Sequence, residues 1–157
     1  MSGIKASQAF AARREFIIRD LVRNLHEELV PAFNAECVDI KKVYDETVSY
    51  AQDCPTDVAK KKLIELAESN RKARIFDLNF RKRQFIDGLN LDLKMQSNKW
   101  VEEYKGETFE EQEEDRKRVD RDGKPKMRTV VKAKFPDGSS AKIPQQLYID
   151  TTLFDRA

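Results

Sequence analysis

The chain has 157 residues, of which 37% are charged and 39% apolar, against about 25% and about 45–50% in ordinary globular domains. That balance excludes a large self-sufficient core and predicts either a high surface-to-volume shape or a core completed by partners. No run approaches the ~20 consecutive apolar residues a spanning helix requires, and the net charge of +2 is far from that of a dedicated nucleic-acid binder.

From Ser7 onward Phe10, Ile17, Ile18, Leu21, Leu25 and Leu29 recur at helical spacing, with charges between them. Pro31 interrupts the pattern, either kinking the rod or opening a new helix. Phe33, Cys37, Ile40, Tyr44, Val48 and Ala51 then carry the stripe on, so a helix is expected over about 7–52. Lys5, Arg13 and Arg14 with no acid among them resemble a weak organellar targeting helix, but they read better as the start of this first helix. After Asp53-Cys54-Pro55, Thr56 or Asp57 can cap a second helix over about 57–104, ended by Gly106. Its expected stripe runs through Leu63, Leu66, Phe76 and Phe80, then Leu89, Leu93, Trp100 and Tyr104.

Residues 74–95 also permit a different reading. Phe76, Leu78 and Phe80 alternate with polar residues, as do Leu89, Leu91, Leu93 and Met95, and Asp87-Gly88 between them is a hairpin signal. The near-equal lengths of the two periodic stretches favour helix, because two antiparallel rods would cover one another's stripes end to end.

Residues 107–126 form a charge-dense connector with almost no apolar anchor, expected to be linker or solvated helix. Over 127–157 the period changes. Met127–Phe135 and Ala141–Ile149 flank Pro136-Asp137-Gly138-Ser139, which predicts a β-hairpin whose second arm is an edge or is bulged at Pro144. The expected architecture is therefore mostly α: a long antiparallel, coiled-coil-like helical hairpin over 1–106, the connector, then a C-terminal β-hairpin and tail. An isolated hairpin is marginal in water, so it must dock on the helices or join another chain's sheet.

Chemistry is sparse. His26 is the lone histidine, so neither a zinc site nor a histidine-dependent nucleophile can be assembled around it, and no glycine loop cradles phosphate. No enzyme activity, cofactor, metal or small-molecule substrate is expected. Cys37 and Cys54 sit too far apart along a helix to bridge, which points to a reducing, intracellular compartment: cytoplasm, organelle matrix or assembling virion. The acidic run 107–115 lacks the glycine turn of a calcium loop and reads as a solvated face.

Two surfaces stand out as binding candidates. Arg71, Lys72, Arg74, Arg81, Lys82 and Arg83 form a basic group that suits either nucleic-acid phosphates or an acidic protein face. Phe76, Phe80 and Phe85 interleave with it, and core packing is the expected role of such a stripe. Phe16, Leu78, Phe85, Leu91, Met95 and Trp100 are the expected apolar interface with other subunits. The function expected is thus a non-catalytic structural subunit of a larger homo- or hetero-oligomeric assembly, using helical faces and a β-hairpin edge. The alternatives are an oligomeric nucleic-acid-binding protein and a small inhibitor presenting the acidic run as a nucleic-acid mimic. A helical-hairpin core followed by a small β element resembles, in architecture alone, the small subunits of viral DNA-packaging terminases. No helix-turn-helix pattern accompanies it and no residue is carried over.

Overall fold

The computed structural model describes residues 3–157, apart from the side chain of Arg116. It is mostly helical, with a continuous helical run from Ala6 to Gln52 and an antiparallel sheet towards the C-terminus. The first run comprises α1 (Ala6–Asn24), a π turn (Leu25–Leu29) and α2 (Val30–Gln52). In the π turn the Val30 amide donates to the Leu25 carbonyl five residues back. The turn thereby absorbs one extra residue and brings Phe33 onto the buried side with Leu25. Pro31, which has no N–H to donate, falls directly after this turn, in the first turn of α2.

Thr56 caps the next helix, α3 (Asp57–Glu103), its hydroxyl accepting from the Ala59 amide at 3.1 Å. Residues 74–95 are helical throughout, with Asp87-Gly88 in mid-helix. The stop at its C-terminus differs in one detail from the glycine cap expected. Lys105 takes the left-handed conformation (φ 56), while the Gly106 amide donates to Val101 at 2.8 Å and that of Lys105 to Glu102 at 3.0 Å, a Schellman arrangement. Gly106 is required for space: a Cβ there would stand 2.9 Å from the Phe135 ring and 3.1 Å from a Val101 methyl.

The expected charged connector is instead strand. β1 (Glu107–Val119) pairs antiparallel with β2 (Pro125–Lys134), and β2 pairs with the short β3 (Ser140–Lys142), in the order β1-β2-β3. Both hairpin turns have the same construction. In each, an Asp-Gly pair closes a type I turn with glycine in the left-handed region, Gly123 at φ 77 and Gly138 at φ 88. The expected second arm over 141–149 is shortened, because after one further ladder bond from Ile143 to Val131 the chain meets Pro144, which cannot donate.

The chain divides into two compact units, and the division falls inside the long helices. Unit 1 comprises Met1–Val22 and Leu89–Tyr148. Its core joins Phe10 of α1, Val101 of α3, Ala133 of β2, Phe135 just beyond it, and Ile143, with Trp100 and Tyr104 packed against them. The Phe135 ring lies 5.8 Å from Phe10 and 6.2 Å from Tyr104. The sheet therefore docks on helices of its own chain, one of the two outcomes its sequence required. The docking also caps α1: the Asp137 carboxylate accepts from the Ala6 amide at 2.7 Å, and the Ser139 hydroxyl from the Ser7 amide at 3.1 Å. A turn more than a hundred residues away thus satisfies helix-terminal donors that α1 cannot satisfy itself.

Unit 2 comprises Arg23–Gly88 and Ile149–Ala157. Its buried residues include Phe33, Cys37 and Ile40 of α2 and Leu78 of α3. The C-terminal segment is clasped by Asn34, whose amide donates to the Leu153 carbonyl at 3.1 Å and accepts from the Asp155 amide at 2.8 Å. Phe154 packs edge-on against Phe33 at 5.1 Å. Cys37 and Cys54 are both free, and burial pushes the Cys37 thiol pKa up.

Candidate interaction surfaces

Most of the basic group picked out on α3 is occupied within unit 2. Arg74 donates to Asp39 at 2.8 Å and Glu36 at 3.3 Å, and those two acids raise its pKa. Arg81 pairs with Asp77 at 3.0 Å and reaches Glu36 at 3.7 Å. Arg71 lies 5.0 Å over Tyr44, and Lys82 sits 5.0 Å from Phe33 and 4.5 Å from Phe154. Lys72 and Arg83 are exposed. Arg71, Arg74 and Lys82 thus meet acids and rings of α2 and the tail. An open groove of about 480 Å³ beside them is lined by Leu29, Ala32, Phe33, Glu36, Leu78 and Arg81 among others. It offers no histidine, cysteine or serine nucleophile.

The apolar candidates fall into three groups. Phe16, Leu91 and Met95 are exposed, at 76%, 58% and 63%. Leu78 is 4% exposed and belongs to the core. Phe85 and Trp100 are half-buried, Trp100 against the unit 1 core. Conversely, Phe76 and Phe80, expected in the core, stand 76% and 51% exposed, with Leu66 at 65%. The cause is helical geometry. Residues i and i+4 share a face while i+2 points nearly opposite, so burying Leu78 turns Phe76 and Phe80 outward. In unit 1 the same logic buries Leu89 and Leu93 and exposes Leu91 and Met95.

The β1–β2 ribbon carries surfaces that the sequence reading missed. On one face Glu113 accepts from Arg128, its partner in register, and from Lys142 of β3 at 3.0 Å. Both cations hold its carboxyl down to about 2. Glu111 pairs with Lys132 on the same face. The acidic run is thus a strand whose face opposite the core-facing Ala133 meets basic residues of β2 and β3. Farther out the register slips: Asp115 pairs with Lys126 and Val119 with Pro125, leaving the three residues between Asp115 and Val119 without partners on β2. Those three are Arg116, Lys117 and Arg118. The Asp122-Gly123 pair was the available signal for this hairpin.

Among the described residues no group of three or more His, Cys, Asp or Glu side chains could hold a metal ion, and no helix is long and apolar enough to cross a membrane. No known family, curated protein or solved structure matches the chain.

Proposed function

We propose that this chain is a non-catalytic assembly subunit built on an antiparallel helical hairpin, and that its first partner is a second copy of itself. Hairpin packing is supported within each unit by contacts that descend α3 as they ascend the first run. Arg13 meets Glu103 in unit 1, while Phe33 lies near Lys82, Asp39 bonds Arg74 and Tyr44 stacks on Arg71 in unit 2.

The observation that carries the reading is the exposed stripe Leu66, Phe76 and Phe80 on α3. At 100° per residue these positions lie within about 80° of one another, so three large apolar side chains share one exposed helical face. Glu65 and Arg83 flank it on one side, about five helical turns apart. In an antiparallel α3–α3 pairing centred near Ala73, each Glu65 meets the partner's Arg83, so the face is self-complementary as a two-fold interface demands. Strand addition at the β1 edge is less favoured, because that strand carries the six carboxylates of residues 107–115, a charge density that natural edge strands use against pairing.

Size-exclusion chromatography with light scattering tests this directly. The full chain should show the mass of at least two copies, and Phe76→Glu with Phe80→Glu should reduce it to one with the far-ultraviolet helix signal intact. Glu65→Lys should weaken association and Glu65→Lys with Arg83→Glu should restore it. A monodisperse monomer at about 100 µM, well above the dissociation constants of stable dimers, would reject the reading.

A further inference from the structure

We propose that the outer end of the β1–β2 ribbon is a binding element for B-form DNA, gripping the phosphate backbone from the major groove. Charge along the ribbon is sharply segregated. Residues 107–115 carry six carboxylates and no cation, whereas residues 116–128 carry seven cations and two carboxylates. Of the acids nearer the helices, Glu111 is met by Lys132 and Glu113 by Arg128 and Lys142. The outer cations are not: among the described residues no ion pair engages the side chains of Lys117, Arg121, Lys124 or Lys126, and Arg118, 76% exposed, only approaches Asp115 at 3.9 Å. Every residue from Lys117 to Thr129 is exposed.

The backbone adds a second, independent observation. The unpaired stretch between Asp115 and Val119 consists wholly of Arg-Lys-Arg, and the Lys117 amide is tied back to the Asp115 carboxylate at 3.0 Å. Bulges re-aim side chains and break pairing at functional edges; this one falls on a run of consecutive basic residues. Beyond it, Asp120 accepts from the Asp122 and Lys124 amides at 2.9 and 3.0 Å, which fixes the turn that carries Arg121 and Lys124.

The occupant follows from shape and charge. A two-stranded ribbon fits the roughly 12 Å major groove of B-DNA, but not the deep, narrow major groove of duplex RNA. The exposed Val119 and Met127 at its outer end supply apolar contact for a groove floor. The acidic inner half repels phosphate and confines contact to the outer half. Such binding is governed by backbone charge and is steeply salt-dependent. It does not depend on self-association through α3, so the two readings stand or fall separately.

The test is fluorescence anisotropy of the full chain with labelled duplexes of about 20 base pairs, enough for one ribbon and its flanking phosphates. Five phosphate contacts predict binding that weakens by roughly 10²- to 10³-fold between about 50 and 200 mM salt. Lys117→Gln, Arg118→Gln and Arg121→Gln together should weaken binding at least about tenfold and flatten the log–log salt slope by about 3. The charge-preserving pair Lys117→Arg and Arg118→Lys should retain it, which separates lost charge from lost structure. Lys60→Gln, Lys62→Gln and Lys72→Gln on α3 should leave it unchanged. Absence of binding at the lower salt, loss through the α3 variants instead, or equal affinity for duplex RNA or poly-glutamate would each overturn the proposal.

Discussion

Asp-Gly occurs three times in this chain, and the same dipeptide has opposite fates. At 122–123 and 137–138 it closes a hairpin with glycine at positive φ, while at 87–88 it lies in the middle of a 47-residue helix. The difference lies in what flanks each pair. Pro136 and Asp137 pre-set the type I turn before Gly138, and the chain on either side buries Ala133, Phe135 and Ile143 against helices. Around Gly88 the flanking apolar residues bury on one helical face, Leu78 in unit 2 and Leu89 in unit 1. A turn signal decides local structure only where the flanking pattern leaves the backbone free to turn.

The comparison is tested most severely at Gly138. Alanine there must take a left-handed conformation that costs an L-residue about 1–2 kcal/mol, and thermal unfolding should show a loss of that order. Asp137→Ala should add about 1 kcal/mol, because it removes the cap on the Ala6 amide as well as the bond to Ser139. An unchanged melting temperature for both variants would mean that this turn is not what holds the sheet to α1.

Gly88→Ala should move stability the other way. Nothing lies within 4 Å of a Cβ at that position, so the substitution gains helix propensity of about 1 kcal/mol at no steric cost. Gly123→Ala meets the same backbone penalty as Gly138→Ala, but in a ribbon exposed on all sides. Its effect should be local: faster amide exchange from about Gln112 to Thr129, with a smaller change in the global melting temperature than Gly138→Ala gives. If Gly88→Ala destabilises as Gly138→Ala does, the helical assignment of 74–95 fails.

These contrasts also show what the sequence discloses and where it falls short. Both long helices were legible to within a residue or two, because caps such as Thr56 and breakers such as Pro55 act locally. The phase of α3 was less legible. Alternation at Phe76, Leu78 and Phe80 fits a strand, a core stripe, or a helix apolar on two sides, and only tertiary burial of Leu78 selects the last. β1 was illegible for a physical reason. Between Glu110 and Arg118 it holds no apolar residue, so its pairing rests on a ladder and on ion pairs with β2 and β3. The exposed Phe76 and Phe80 and the cationic bulge were missed accordingly, since each depends on a register or face that periodicity does not determine.

The ion pairs at the inner end of the ribbon give the smallest expected effect and the sharpest contrast with its outer end. Hydrogen bonds from Arg128 and Lys142 hold the Glu113 carboxyl at about 2, below its ordinary value of 4.5. A folded-state pKa below the unfolded one contributes stability that is fully present above the ordinary value and is lost as pH falls through the folded value. The three-strand lock among Glu113, Arg128 and Lys142 should therefore be intact at neutral pH and weaken between about pH 4.5 and 2. Because the ion pairs lie at the ribbon's surface, screening by solvent and salt should shrink the effect further. Side-chain carboxyl NMR of Glu113 should report the depressed pKa, and Arg128→Gln should move it back towards the ordinary value, with the melting temperature nearly unchanged at pH 7. An undisplaced Glu113 in the wild type would show that the ribbon's inner cations are as free as its outer ones, and the charge segregation along it would lose its structural basis.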